Sequence, residues 1–474
     1  MRSNRRDFLK SAAAAGFATF VIGGTKASRQ VLGANERIRV AVCGINGRGQ
    51  SHIGGFSDVE GVEVAMLVDP DSRLFGLTEK AHGLKAVQDA RYAFDDPNID
   101  VVSVATPNHW HSLLTIRACQ AGKDVYVEKP LSHNIFEGRK CVEAARHYNR
   151  MVQHGTQSRS DSTWARTVAA VHSEKYGKLL VSKGYCCKAR WSIGTKPTKP
   201  APAELDFNIW LGPAPEQPYH ENLVHYNWHW FWDFGNGDTG NQGVHQMDVA
   251  MWGIKNATLP TRVWSLGGRF GYEDQGQTPN TQLTVFEYGD AILLFETRGL
   301  VKKDEGFAFA PKVTNEFFTT EGMLSDGKFY PRGGGEPQPV ELPEEPHVTP
   351  GGPFGSFITA VRSRKVEDLN ADVEIGHNSS ALCHLSNISY RLGKQVPFSA
   401  SSQSLGDNAH VVESFEMIRA NLQGVGVKLE ETEYRLGRDL AFDPAQEKFV
   451  GDDEANKLLT REYRKGFEVP ATIG

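Results

Sequence analysis

No C-x-x-C pair occurs in this sequence, and its six cysteines (Cys43, Cys119, Cys141, Cys186, Cys187, Cys383) form neither a disulfide framework nor a zinc pattern. Cys186 and Cys187 are adjacent, too close for an ordinary structural bridge, so buried free thiols are expected. Excess charge is missing too. Lysine and arginine number 52 against 57 acidic residues, a net charge of −5 with the signs interspersed, which gives no footprint for nucleic acid. A mean hydropathy of −0.42 excludes a polytopic membrane protein. No internal repeat is found. What is present is 474 residues with 39% hydrophobic content, enough for two or three cored domains. Nine tryptophans among 10% aromatics suit a protein that grips a ligand with ring faces.

Residues 1–34 read as a targeting segment. Asn4-Arg5-Arg6-Asp7-Phe8-Leu9-Lys10 resembles the twin-arginine export consensus, and a weakly apolar run over 11–23 follows, with Lys26 and Arg29 after it. That run is too short to span a bilayer, so no stable membrane span is expected. The expectation is export to the periplasm of a chain already folded, its thiols reduced.

From Arg37 onward β-branched runs alternate with helical stretches. Residues 38–43 end in Gly44-Ile45-Asn46-Gly47-Arg48-Gly49, residues 62–68 at Asp69, residues 101–105 in Thr106-Pro107-Asn108, and residues 125–127 in Glu128-Lys129-Pro130. Between the last two, Leu113, Leu114 and Ala118 share one helix face. The alternation predicts an α/β fold, a doubly wound parallel sheet over residues 35–153. Ligands of such sheets lie beyond the carboxyl ends of the strands, where all these motifs fall. A glycine turn lets a pyrophosphate approach a helix N-terminus, whose free N–H groups and dipole favour negative charge. Asp69 follows Gly44 by 25 residues, close to the roughly 20 expected of an acid that holds a ribose 2′-hydroxyl. Asn46 stands where G-x-G-x-x-G carries its second glycine, and asparagine tolerates unusual backbone angles. Strand, turn, helix, strand and acid in this order point to a dinucleotide. The carboxylate favours NAD; Arg73 leaves NADP open.

Together with Thr106-Pro107-Asn108-His109-Trp110-His111 and Gly240-Asn241-Gln242-Gly243-Val244-His245, these motifs resemble the glucose–fructose oxidoreductase/inositol dehydrogenase (Gfo/Idh/MocA) family. The resemblance covers essentially the whole chain after residue 34. It implies a second α/β domain over residues 154–400 with an open, largely antiparallel sheet, and a homo-oligomer, dimer or tetramer. It implies that Lys129 sits beside the nicotinamide and polarises a substrate hydroxyl, with Glu128 positioning it or touching the cofactor. The expected cofactor set is Gly44, Asn46, Gly47, Arg48, Gly49, Asp69, Arg73, Thr106, Pro107, Asn108, His111, Glu128 and Lys129. Chemistry agrees on the lysine. Hydride loss from a carbinol carbon needs a partner for the hydroxyl proton, and a desolvated lysine can serve. The family's Asp-x-x-x-His reads Asn241-Gln242-Gly243-Val244-His245 here, a spacing that puts both ends on one helix face. His245 remains as a catalytic candidate. Asn241 can bind a hydroxyl but cannot be a base. Asp248 reads as a structural partner, with orientation of the imidazole the alternative.

In the second half, Gln157 and Arg159 border the crossing between domains and are candidate substrate contacts. Residues 196–218 are proline-rich and expected as a surface loop. They lead into His225-Tyr226-Asn227-Trp228-His229-Trp230-Phe231-Trp232-Asp233, in which core packing competes with sugar stacking and His229 and Trp230 are expected to reach the pocket. Strands are predicted over 282–287, 291–298 and 315–320, and helices over 354–364, 377–392 and 408–422. Residues 332–353 are expected to cover the site or meet a neighbouring subunit. Residues 401–474 are read as a helix and a polar tail. His377 and His384 lack a third ligand, so no metal is predicted. The leading function is oxidation or reduction of a sugar, polyol or sugar derivative with tightly retained cofactor. The alternatives are a nicotinamide-dependent glycosidase and a sugar- or nucleotide-binding homologue without catalysis.

Overall fold

The computed structural model describes residues 37–76, 83–302, 309–398 and 405–474; the twin-arginine segment lies outside them. The alternation read from the sequence becomes a six-stranded parallel sheet: β1 (Ile38–Cys43), β2 (Val62–Val68), β3 (Lys85–Val87), β4 (Val101–Val104), β5 (Asp124–Val127) and β6 (Val152–His154). Their order is β3-β2-β1-β4-β5-β6, so the strand order reverses beside β1. A crevice opens beyond the strand ends at such a reversal. The helices Arg48–Ser57, Asn108–Gln120 and Ile135–His147 make the crossovers. The strands are buried on both faces, as a parallel sheet requires.

The second sheet is mixed and largely antiparallel. It contains β7 (Leu179–Cys187), β8 (Arg262–Gly268), β9 (Thr281–Tyr288), β10 (Ala291–Arg298) and β11 (Lys312–Thr319), in the order β11-β7-β10-β9-β8. Of these neighbours β7 and β10 run parallel. The helices Val244–Gly253 and Val373–Arg391 pack on one face through Val244, Met247, Leu382 and Leu385. The helix Ala409–Gly424 covers part of the other through Phe415 and Ile418. All six cysteines are buried and free. Among the described residues no helix is long and apolar enough to cross a membrane.

Packing interleaves the halves more than the chain order does. The helix Gly352–Ser363 lays Phe357, Ile358 and Val361 against Ile38, Val40 and Val42, so the first sheet borrows a covering helix from beyond residue 350. Residues 401–474 are more than a helix and a tail. Here β12 (Glu433–Leu436) and β13 (Leu440–Asp443) pair with β8, and Val469 then returns to the core of the first sheet. The expected surface loop 196–218 is exposed and irregular over 196–200, then turns inward. It holds a short helix, Phe207–Leu211, with Trp210 and Leu211 buried. Residues 332–353 pack on the helix Ser162–His172, where Arg166 donates to the Val340 carbonyl, and none of them lines the cleft described next.

Candidate active site

A cleft of about 430 Å³ runs along the carboxyl ends of the first sheet, within the range typical of small-molecule sites. Its floor begins at the glycine turn. Gly44 has φ 79°, and a Cβ there would lie 2.7 Å from the backbone of Ala105 and Thr106. Only glycine lets β1 turn this close to the exit of β4. Gly47, φ 47°, precedes the helix Arg48–Ser57 without a side-chain cap. The first N–H groups of that helix are the natural seat for a pyrophosphate. Gly44, Asn46, Gly47 and Arg48 line the cleft; Gly49 is buried beneath the turn, donating its N–H to Asn46.

Asp69 lines the cleft at the end of β2 and also braces the turn, accepting the N–H groups of Ile45 and Asp71 at 3.0 Å each. Burial raises its pKa, opposed by those two donors. Arg73 is a correction. Its guanidinium is drawn onto Asp71, whose carboxylate also meets His225 at 2.8 Å, and Arg73 does not line the cleft. Thr106, Pro107, Asn108 and His111 line it as expected. The Thr106 hydroxyl and the Asn108 amide nitrogen are buried without a partner. Such orphaned groups fit a bound polar ligand. The glycine cradle, the open helix terminus and these orphans together fit a dinucleotide.

Glu128 sits at the centre of a polar knot. One carboxylate oxygen accepts from Arg48 at 2.7 Å, Gln157 at 3.0 Å and His52 at 3.1 Å. Burial opposes its ionisation, yet His52, Arg48 and Lys129 hold its pKa well below the usual carboxylate range. His52 was missed in the sequence, although it stands four residues after Arg48 on the same helix face. The neighbouring Lys129 is partly buried, and its ammonium donates to the main-chain carbonyl of Asn241. Desolvation lowers the Lys129 pKa, against Glu128, which raises it; Arg48 and Lys188 push it down further.

The second motif is less regular than the spacing implied. Residues Thr239–Gly243 form a π-helical turn that runs into the helix Val244–Gly253. A π turn widens the helix and departs from the regular i→i−4 ladder. A Cβ at Gly243 would meet the Phe295 ring of β10 at 2.5 Å, so glycine allows the turn to rest on the sheet. Asn241 and His245 both line the cleft, beside Lys129. Desolvation, then the Lys129 charge, lowers the His245 pKa to about 3. The imidazole is therefore neutral at ordinary pH, able to hold a hydroxyl and too weak to deprotonate one.

Three substrate candidates lie elsewhere. Arg159 is buried in a bidentate pair with Asp248, 2.9–3.1 Å, which Ser379 also bonds at 2.6 Å. Asp248 is thus a structural partner. His229 and Trp230 are buried, the first donating to the Tyr226 carbonyl, the second in an aromatic core with Trp210 and Phe234. From that cluster His225, Tyr226 and Trp228 line the cleft instead. Gln157 lines it through its bond to Glu128. Trp210 and Phe467, residues no local pattern announced, also line the cleft. Phe467 meets Trp110 edge to face at 5.6 Å, and the Trp110 and His109 ring nitrogens reach the Trp210 carbonyl.

Residues 38–156 match the profile of the Gfo/Idh/MocA oxidoreductase family, NAD-binding Rossmann fold, and residues 177–289 that of its C-terminal α/β domain. An inositol 2-dehydrogenase of Leifsonia xyli is 30% identical over 242 residues, 50% of this chain and 68% of that protein. The chain belongs to the Gfo/Idh/MocA family. This family member is also similar to a glycosyl hydrolase family 109 protein of Shewanella pealeana, 25% identical over 222 residues, 41% of this chain and 48% of the relative. The chain spans about half the length, or less, of the first curated relatives it matches. Its fold is that of the WlbA dehydrogenase from Bordetella pertussis, solved with NADH and UDP-GlcNAcA. The TM-score is 0.56 with 17% identity, over 75% of this chain and 96% of that one. The chain is thus a member of an oxidoreductase family, with an NAD-binding Rossmann domain followed by that family's C-terminal α/β domain.

Proposed function

We propose that the protein moves hydride at one carbinol carbon of a sugar, polyol or sugar derivative, with Lys129 as the proton-handling group. The observation that carries this reading is the Lys129 ammonium, held at the Asn241 carbonyl next to His245 in the cleft. Nicotinamide, when bound, supplies the hydride acceptor or donor. Lys129 takes the hydroxyl proton as the carbonyl forms, its lowered pKa making the free amine more accessible. Neutral His245 and the Asn241 amide orient the hydroxyl. Glu128, kept ionised, holds Arg48 and Gln157 in place. NAD is favoured over NADP because the ribose end presents Asp69, while Arg73 is taken by Asp71 and Arg91 by Asp89. Replacing Lys129 by Ala should abolish turnover and largely spare nucleotide binding; unchanged turnover would overturn the assignment.

Export by the twin-arginine route belongs to the same proposal. Outside the cytoplasm no pool of free nicotinamide exists, so the cofactor would be retained and its hydride returned within the cycle. Trp210 and Phe467, aromatic residues of the cleft lining, support retention. The purified protein should show nucleotide absorbance, and activity that needs stoichiometric added NAD would rule retention out.

A second reading is supported by Asn241 and by the glycosyl hydrolase relatives. Oxidation at a ring carbon acidifies the neighbouring C–H; Lys129 or a water removes that proton, the glycosidic substituent leaves, water adds and the carbonyl is reduced again. Electrons balance with no net change in nicotinamide. Release of an aryl aglycone without NADH accumulation would favour this route.

A further inference from the structure

Beside Asn241, just outside the lining of the cleft, the structure carries unmatched positive charge. Along β7 and its continuation, Cys186, Lys188 and Arg190 fall on one face, since side chains alternate in an extended chain. That face looks at the π-helical turn. Arg190 is matched by Asp238, with bonds of 3.0–3.1 Å in a buried pair. Arg48 is matched by Glu128 at 2.7 Å. Lys188 is matched by nothing acidic among the described residues. Its ammonium donates to the Gln242 side-chain oxygen at 3.3 Å, one residue from Asn241. Lys129 donates to a main-chain carbonyl, and the Glu128 carboxylate beside it is spent on Arg48 and His52. Lys188 is thus left without an acidic partner, while Lys129 is balanced in part by Glu128 and Asp238, each of which is also paired with an arginine. The Lys188 charge is felt at both Lys129 and His245, whose pKa values it lowers. Position 241, where a carboxylate would cancel one of these charges, is an amide.

We propose that the substrate is an anionic sugar, carrying a carboxylate or sulfate that docks between Lys188 and the 241–242 turn, and that Asn241 replaces a carboxylate because an acid there would repel it. The inference rests on the carbohydrate reading above and deepens it by naming the substrate class. A carboxylate near a lone lysine gains from the attraction, and the gain falls with salt when the site is open to water.

The test is calorimetric binding to the purified, nucleotide-loaded protein of matched probes: D-glucuronate, D-glucose 6-sulfate and D-glucose, with D-galacturonate and D-galactose as the second series. An acid should bind about tenfold or more tightly than its neutral partner, less so at high salt; preference for the uronate or for the sulfate tells which anion is read. Lys188→Gln should abolish that preference, Lys188→Arg should keep it, and Asn241→Asp should reverse it. Lys188 is exposed, so melting temperature serves as a check that the variants remain folded. Acidic and neutral sugars bound alike, or a preference untouched by Lys188→Gln, would overturn the proposal alone. Failure of every sugar to bind would overturn it together with the carbohydrate reading.

Discussion

The two halves of the cleft are built on opposite plans. On the nucleotide side, motif residues act where the chain places them. Gly44 touches the strand beside it, Asp69 braces the turn 24 residues back, and Thr106, Pro107, Asn108 and His111 line the cleft. On the substrate side, residues with the chemistry to touch a sugar are largely spent on one another. Arg159 is bound to Asp248, Arg190 to Asp238, and His229 to a main-chain carbonyl. The groups left facing the cleft are Lys129, Asn241, His245 and the aromatic rim of Tyr226 and Trp228. A parallel sheet sets its ligand end by topology. An open antiparallel sheet does not, so its site residues must be positioned by buried pairs behind them.

The sharpest break of this contrast is at its junction. Lys129→Ala should cost about 10²–10⁴ in turnover, read in single-turnover kinetics, whereas nucleotide affinity measured by fluorescence titration stays near wild type. A parallel loss of both would mean that the lysine belongs to the cofactor side. Next in size, Asp248→Ala leaves the Arg159 guanidinium buried and unpaired. Such a break costs about 3–5 kcal/mol, and it should lower the chemical denaturation midpoint. If stability holds and substrate affinity falls instead, Arg159 contacts substrate after all. Smaller still, Phe467→Ala removes an edge-to-face pair with Trp110, worth about 0.5–1.5 kcal/mol, and should speed nucleotide release about three- to tenfold.

The mildest effect is a pH shift. The free amine of Lys129 is the form that accepts a proton, so oxidation should rise with pH through the lysine's pKa. Burial lowers that pKa from 10.5, so the rising limb should lie below the position of an ordinary lysine. His245 titrates near 3, and no acid limb near neutrality should belong to it. A rate profile that is flat from neutrality to above 10.5 would exclude Lys129 as the base.

The first half was legible because its signals are local. A β-branched run, a glycine turn and an acid after the next strand specify one geometry, and the strands at 62–68 and 291–298 fall where the pattern put them. Arg73 misled because a neighbour two residues away, Asp71, captured it. In the second half the pattern told residue type but not direction. Nothing in His225 to Asp233 distinguishes rings that enter a core from rings that face a cleft. Buried polar groups there are matched across the chain, Arg159 with Asp248 at 89 residues' separation, and such pairs carry no periodicity. Phe467 reaches the cleft only because the chain end folds back to the first sheet, which composition could not announce. The spacing of Asn241 and His245 was read correctly as shared placement, while the wider helical turn behind it was invisible.

That turn separates two jobs within one residue. Its peptide oxygen anchors the lysine, and every amino acid has such an oxygen. The side chain at 241 is thereby released from holding Lys129. An acid or an amide at this position would leave that anchor in place. Where the lysine rests and what the 241 side chain meets are thus set by two separate groups of the same residue.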